Sequence, residues 1–280
     1  MIDTELYKAK TLYPFQESTV NKILKEFAEN GRDFNLLFQL PTGGGKTVIF
    51  SEIAKRYIEE SKEKVLILTH RIELCKQTSK MLTEFEVVNK VIHSKANLDD
   101  QHLYTCFVAM VETLNNRLNE NKLDISDIGL VIIDEAHYNS FTKIFKFFSK
   151  SFFLGVTATP LSSNILLPMT DNYEELIVGE SIESLIENNF LARAKTFSYN
   201  VGLTSLVVGA NGDYTVKSSD DLYTSGNMLG KLVEAYEERS KDKKTLIFNN
   251  GISTSINVYH TFKAAGYPVQ HLDNTASRKE

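Results

Sequence analysis

The chain has 280 residues, 42% of them hydrophobic and 24% charged, with a formal net charge of −5. This is the balance of a soluble globular chain of one or two domains, and its acidic excess excludes nucleic-acid binding through bulk charge, leaving only a local patch. No apolar run approaches the ~18 residues of a membrane span, Met1-Ile2-Asp3-Thr4-Glu5 is not a signal peptide, and Cys75 and Cys106 give neither a disulfide framework nor a metal cluster, which points to a reduced, cytoplasmic setting.

Leu12-Tyr13-Pro14-Phe15-Gln16 precedes an expected helix from Glu17 to Asn30, whose Val20, Ile23, Leu24 and Phe27 recur at helical spacing. Asn35 to Leu40 has the length of a buried strand, and Val48 to Ile58 again has helical spacing. Between them lies the turn Pro41-Thr42-Gly43-Gly44-Gly45-Lys46-Thr47. A second strand is expected at Val65 to Thr69, after which His70-Arg71-Ile72-Glu73-Leu74 opens a helix. Further strands are expected at residues 90–93, 105–110, 128–133 and 152–156. Apolar strands alternating with amphipathic helices predict an α/β fold with a mostly parallel sheet covered by helices on both faces. In such a sheet the loops after the strands gather at one edge, where ligands bind.

After Pro160 the rhythm changes. A helix is expected over 181–191 and a strand over 194–200. Residues 201–225 read as a connector with a hairpin turning at Asn211-Gly212. Then come a helix at 228–240, a strand at 244–248, a helix at 252–265 and a strand at 267–272. We therefore divide the chain into a lobe over 1–195, a connector over 196–226 and the start of a second lobe over 227–280. A parallel-sheet domain usually needs about 100–150 residues, so the chain is expected to be the N-terminal piece of a longer protein.

A strand, a glycine turn ending in Gly-Lys-Thr and a helix is the context of a phosphate-binding loop. Without Cβ atoms, Gly43, Gly44 and Gly45 let the backbone curl its N–H groups inward. The helix start adds unpaired N–H groups and its positive dipole end. Lys46 reaches the β and γ phosphates, and the Thr47 hydroxyl ligates Mg²⁺. The strict pattern places Gly six residues before the lysine, where this chain has Leu40. Asp134-Glu135, at the end of an apolar strand, is the second signature: Asp134 to hold Mg²⁺, Glu135 to orient the attacking water and take its proton. Alone, the pair would equally suit an acidic turn. His137 is either a surface imidazole or a link from the γ-phosphate site to a neighbouring domain. Phe141, Phe145, Phe147, Phe148, Phe152 and Phe153 suit core packing better than base stacking, since they sit between two apolar strands.

Pro14-Phe15-Gln16, Pro41 to Thr47, Thr69 to Leu74, Asp134-Glu135-Ala136-His137 and Thr157-Ala158-Thr159-Pro160 stand in helicase order. Through them the chain resembles the superfamily 2 DEAH-type helicases and translocases, in the group with RadD-like, XPB-like and restriction-enzyme motor proteins. The resemblance implies RecA-like lobes with ATP between them and nucleic acid across both. It implies that Gln16 reads the adenine edge with Phe15 or Tyr13 nearby, and that Thr42 to Thr47 cradle the phosphates. Thr157 and Thr159 would couple nucleotide state to lobe movement, and His70, Arg71 and residues near Thr113 would hold strand phosphates without reading sequence. DNA is the implied partner, as a single strand or fork, with RNA the alternative. Thr245 to Asn250 resembles the first motif of the second lobe, but the later run with its arginine finger does not occur in these 280 residues. Such a finger is worth ~10³–10⁵ in rate, so the chain by itself is expected to bind ATP weakly and hydrolyse it poorly. The nucleotide-dependent binding module is the alternative from another class. Leu161-Ser162-Ser163 also departs from the family's usual residues there.

Overall fold

A computed structural model of the chain describes residues 11–32, 34–119, 127–138, 141, 143–162, 164, 166–209 and 212–273. The chain forms two compact units, Met1–Ala194 and Lys195–Glu280.

The first unit is built on a seven-stranded sheet. Its strands are β1 (Leu36–Gln39), β2 (Lys64–Thr69), β3 (Asn89–Ile92), β4 (Cys106–Met110), β5 (Ile128–Asp134), β6 (Phe152–Thr157) and β7 (Glu175–Val178). They lie in the order β3-β4-β2-β5-β6-β1-β7, and each neighbouring pair is parallel. Parallel strands need crossovers, supplied here by α2 (Lys46–Ser61), α3 (Ile72–Glu84) and α4 (Val111–Asn119) among others. Helices α1 (Pro14–Glu29) and α5 (Ile182–Glu187) flank the sheet's chain segment.

Strand alternation sorts the core into two faces. Val65 and Ile67 of β2 pack with Ile23 of α1, Phe50 of α2 and Leu82 of α3. Leu66 and Leu68 pack instead with Leu114 of α4, Phe141 and Phe153. The fold is thus the expected α/β sheet with helices on both faces. The phenylalanines are core: Phe141, Phe148, Phe152 and Phe153 are buried, and Phe145 stacks on Phe153 at 4.2 Å. Cys75 and Cys106 are buried free thiols.

Helix α1 begins three residues earlier than expected because Pro14 occupies its first turn, where a missing N–H costs nothing. Helix α5 stops at Glu187, four residues short of expectation. There Asn189 turns left-handed (φ 60°), and Phe190 and Leu191 N–H groups both donate to the Leu185 carbonyl. β7 was not expected, since only its Ile177 is buried and its charged lead-in hides the strand pattern.

The second unit carries α6 (Val216–Tyr223), α7 (Gly226–Arg239) and α8 (Ile252–Ala264). The Tyr236 ring meets Phe262 at 5.3 Å and Tyr267 at 5.0 Å. The expected hairpin is a single antiparallel bridge, Val208 to Tyr214; Asn211 of its turn, like Ser163, lies outside the described residues. The strands expected at 194–200, 244–248 and 267–272 are not formed. A strand exists only against a neighbour that takes its hydrogen bonds. No ladder partner faces these segments among the described residues, and Leu246, Phe248 and Leu272 are left exposed. No helix among the described residues is long and apolar enough to cross a membrane.

Ile132 sits fully buried in β5, between β2 and β6. Ile132→Ala should lower unfolding free energy by about 2–5 kcal/mol, measured as a shift of the urea midpoint at constant slope. A change within experimental error would contradict the central placement of β5.

Candidate nucleotide site

The site lies where β1, β6 and β5 end side by side. Gln39 pairs with Thr157, and Asp134 with Val156. The loop after β1 therefore opens beside the loop after β6 and one strand away from the loop after β5. Pro41 accepts from the Gly44 N–H at 3.0 Å, closing the first turn. Gly43 and Gly45 both take positive φ, 87° and 90°, where a side chain would be strained. Gly45 is the N-cap of α2, and no side chain caps it, so the first N–H groups of the helix remain unpaired by any cap. Leu40, which replaces the first glycine of the strict pattern, is fully buried. Its side chain lies under Gly44, where an added Cβ would come within 2.8 Å of it. The departure thus has a structural use: Leu40 packs the floor of the loop and demands glycine above it.

Lys46, first residue of α2, points back across the turn. Its Nζ lies 3.5 Å from the Leu40 carbonyl and 4.0 Å from Glu135 Oε1. Glu135 adopts left-handed backbone (φ 54°), a conformation that costs a residue with a Cβ some local strain. Its N–H donates to Asp134 Oδ1 at 3.1 Å. Asp134 is only 8% exposed. Burial first, and then the neighbouring Glu135 carboxylate, push its pKa up to about 6, against the pull of Lys46. Such a carboxylate seeks a cation. No group of three or more His, Cys, Asp or Glu side chains suited to a metal occurs among the described residues.

His137 Nδ1 stands 2.9 Å from Thr157 Oγ1 and 3.4 Å from Glu135 Oε2. Thr157 is fully buried, and its hydroxyl donates to the Thr159 carbonyl at 3.0 Å and accepts from the Thr159 N–H at 3.1 Å. Gln16 is 4% exposed; its Oε1 accepts from the Tyr13 N–H at 3.0 Å and its Nε2 donates to the Gly44 carbonyl at 3.3 Å. Both ends of the amide are engaged, so Gln16 fastens α1 to the glycine turn after β1. Arg56 of α2 ties α1 to α2 through Glu17 (2.7 Å), while Glu52, one turn earlier in α2, holds its guanidinium in place (2.6 Å). Tyr13 is exposed beside it, 4.6 Å from the Phe190 ring.

Thr42, His70, Arg71, Glu135, His137 and Thr159 share the wall of one open cavity of about 450 Å³ with Leu74, Tyr138 and Ala158. Arg71 is exposed at the N-cap of α3. The His70 ring packs on Tyr138, and its pKa is lowered, by burial first and then by the Arg71 charge. Thr47 is half-buried in the first turn of α2. Thr113 sits in the first turn of α4, at the same sheet edge but outside that cavity. The sequence did not single out Tyr138; its signal was an aromatic residue directly after His137.

The sequence model of the family described as "Type III restriction enzyme, res subunit" matches residues 9–162. Among curated proteins, a 51.5 kDa protein of Lactococcus phage (isolate 7-9) is 29% identical over 251 residues, covering 87% of this chain and 50% of its own. The ATP-dependent DNA helicase mph1 of Neurospora crassa is 30% identical over 183 residues, covering 58% of this chain and 15% of its own. The chain thus spans half or less of these relatives. Among solved structures, the ATP-dependent Type ISP restriction-modification enzyme LlaBIII bound to DNA superposes with a TM-score of 0.61 at 17% identity, over 92% of this chain and 22% of that one. At that identity the likeness concerns the fold.

The raised Asp134 pKa sets a pH signature. Between the ordinary value of 3.8 and about 6, the folded state holds a proton that the unfolded state releases. Stability of the nucleotide-free chain therefore falls as pH rises through that window. Asp134→Asn should stabilise the nucleotide-free chain by about 1–3 kcal/mol at pH 7, with the gain vanishing near pH 4. Thermal melts across pH 4–8 check this, and a variant less stable than wild type at pH 7 would contradict it.

Proposed function

The chain belongs to the type III restriction enzyme res-subunit family, within the superfamily 2 helicases, and we propose that it forms the ATP-binding lobe of a motor that unwinds or translocates along DNA. The observation that carries this reading is the approach of Lys46 Nζ to Glu135 Oε1, 4.0 Å, beside the buried Asp134 carboxylate. A loop that curls its N–H groups inward, a lysine and two carboxylates at adjoining strand ends are the parts that phosphoryl transfer needs. The N–H groups of residues 43–47 and the Lys46 ammonium would bind the β and γ phosphates of ATP. The Thr47 hydroxyl and Asp134 would hold Mg²⁺, which supplies neutralisation of phosphate charge when bound. Glu135 would orient the attacking water and accept its proton, with His137 fixing the second carboxylate oxygen. Thr157 and Thr159, already joined to His137 through one hydroxyl, would pass nucleotide state onward. Gln16 would position the phosphate loop and, once its amide turns, the adenine.

DNA is favoured over RNA because the mph1 relative is a DNA helicase and the LlaBIII structure holds DNA. Arg71, with His70 and Thr113 at the same sheet edge, would meet strand phosphates, a contact that carries no sequence information. Residues 227–280 are proposed to begin a second RecA-like lobe, after a connector over 196–226. Their exposed Leu246 and Phe248 suit strands awaiting neighbours.

Lys46→Ala should abolish binding of a fluorescent ATP analogue. Glu135→Gln should retain that binding and lower hydrolysis by about 10²–10⁴-fold, read in the complete protein with DNA present. Binding unaffected by Lys46→Ala would overturn the site. Because Asp134 titrates near 6, Mg²⁺ dependence should weaken below that pH as protons compete for the carboxylate. Titrations of Mg²⁺ at pH 5 and pH 7.5 measure it, and equal midpoints would exclude Asp134 as ligand.

A further inference from the structure

We propose that Tyr138 is a positioning residue that ties strand contact at Arg71 to the Glu135 carboxylate, a role that rests on the nucleotide and DNA reading above. Its ring bridges two histidines. It lies 4.7 Å from the His70 ring and 4.3 Å from the His137 ring, tilted by 39° and 36°. The His137 contact joins chain neighbours, but His70 follows β2 and Tyr138 follows β5, so the His70 contact is a tertiary one. Tyr138 itself is 39% exposed and lines the same cavity as Arg71 and Glu135.

At one end of this stack, the buried His70 Nδ1 has no hydrogen-bond partner among the described residues. Among the described residues no hydrogen bond on that nitrogen fixes the ring, and its packing on Tyr138 contributes to its placement. Arg71 is the next residue, at the N-cap of α3. A phosphate drawn to the Arg71 guanidinium pulls on a backbone whose neighbouring ring rests on Tyr138. At the other end, His137 Nδ1 faces two oxygens, Thr157 Oγ1 at 2.9 Å and Glu135 Oε2 at 3.4 Å. One ring nitrogen carries one proton or one lone pair, so it serves one of these partners well and not both. Facing the threonine, it leaves Glu135 to Lys46. Facing the carboxylate, it fixes Glu135 for water. These are two discrete arrangements of one side chain, and the tilt of Tyr138 biases the choice between them. A two-state element that both sites can bias is the physical requirement for coupling.

The test is a binding cycle on the full chain. A fluorescent, non-hydrolysable ATP analogue is titrated with and without a saturating single-stranded DNA oligonucleotide, at one stated salt concentration, for wild type, Tyr138→Ala and Tyr138→Phe. In wild type, DNA should change nucleotide affinity about 5-fold or more, the lower end of ordinary coupling. In Tyr138→Ala the ratio should fall to within about twofold of unity, whatever the shift in either single-ligand affinity. Tyr138→Phe, which keeps the ring and loses only the hydroxyl, should restore the wild-type ratio. Should Tyr138→Ala fail to fold, Tyr138→Leu keeps an apolar side chain without the aromatic face and gives the same comparison. A wild-type ratio preserved in the alanine or leucine variant would overturn the proposal. Both ligands binding wild type with no linkage would overturn the role of Tyr138 alone. Failure of wild type to bind the nucleotide would overturn the site reading beneath it.

Discussion

Everything proposed for this chain depends on the parallel register of three strands. β6 lies between β1 and β5, and its Thr157 pairs with Gln39 while Val156 pairs with Asp134. One residue of slip would turn each inward side chain outward. The register is held by apolar residues buried on both faces, Phe38, Leu154 and Ile132 to one side and Leu37, Phe153 and Ile133 to the other. Because the strands end level, the Leu40 N–H donates to the Thr157 carbonyl and the Ala136 N–H to that of Val156. Two loops separated by roughly ninety residues of chain thereby meet at 4.0 Å, lysine to carboxylate.

The meeting opposes stability locally. Asp134 is buried beside a second carboxylate, and Glu135 is held in left-handed backbone. Neither arrangement improves the fold. Both are what a site keeps ready for charge that arrives with a ligand. The sheet tolerates them because both residues stand at the end of a strand with ladder partners on both sides. The same economy shows at the glycine turn after β1, where Leu40 packs beneath Gly44 and Gln16 clamps it from α1.

Around this corner the side chains form a continuous set. Lys46 faces Glu135, Glu135 faces His137, and His137 shares Thr157 with Thr159 and its ring face with Tyr138. Few of these contacts are strong singly. Their value lies in mutual exclusion: His137 has one nitrogen for two partners, and Glu135 has two oxygens for two partners. Such competition is how a small change of charge at one loop reaches another.

The amino-acid sequence by itself determined the sheet, its helices on both faces, and the chemical types at the strand ends. Burial patterns repeat with fixed periods, and Gly-Lys-Thr and Asp-Glu need particular backbones, so both are written in local order. The order could not tell that Gln16 spends its amide on Tyr13 and Gly44, that Leu40 needs a glycine above it, or that Tyr138 rests on His70. It also overstated the second unit, where residues 244–248 have strand composition but no ladder. These outcomes were left to tertiary structure for one reason. A period says which way a side chain points, whereas a contact depends on which other element arrives opposite it, and that is set only when the whole sheet closes.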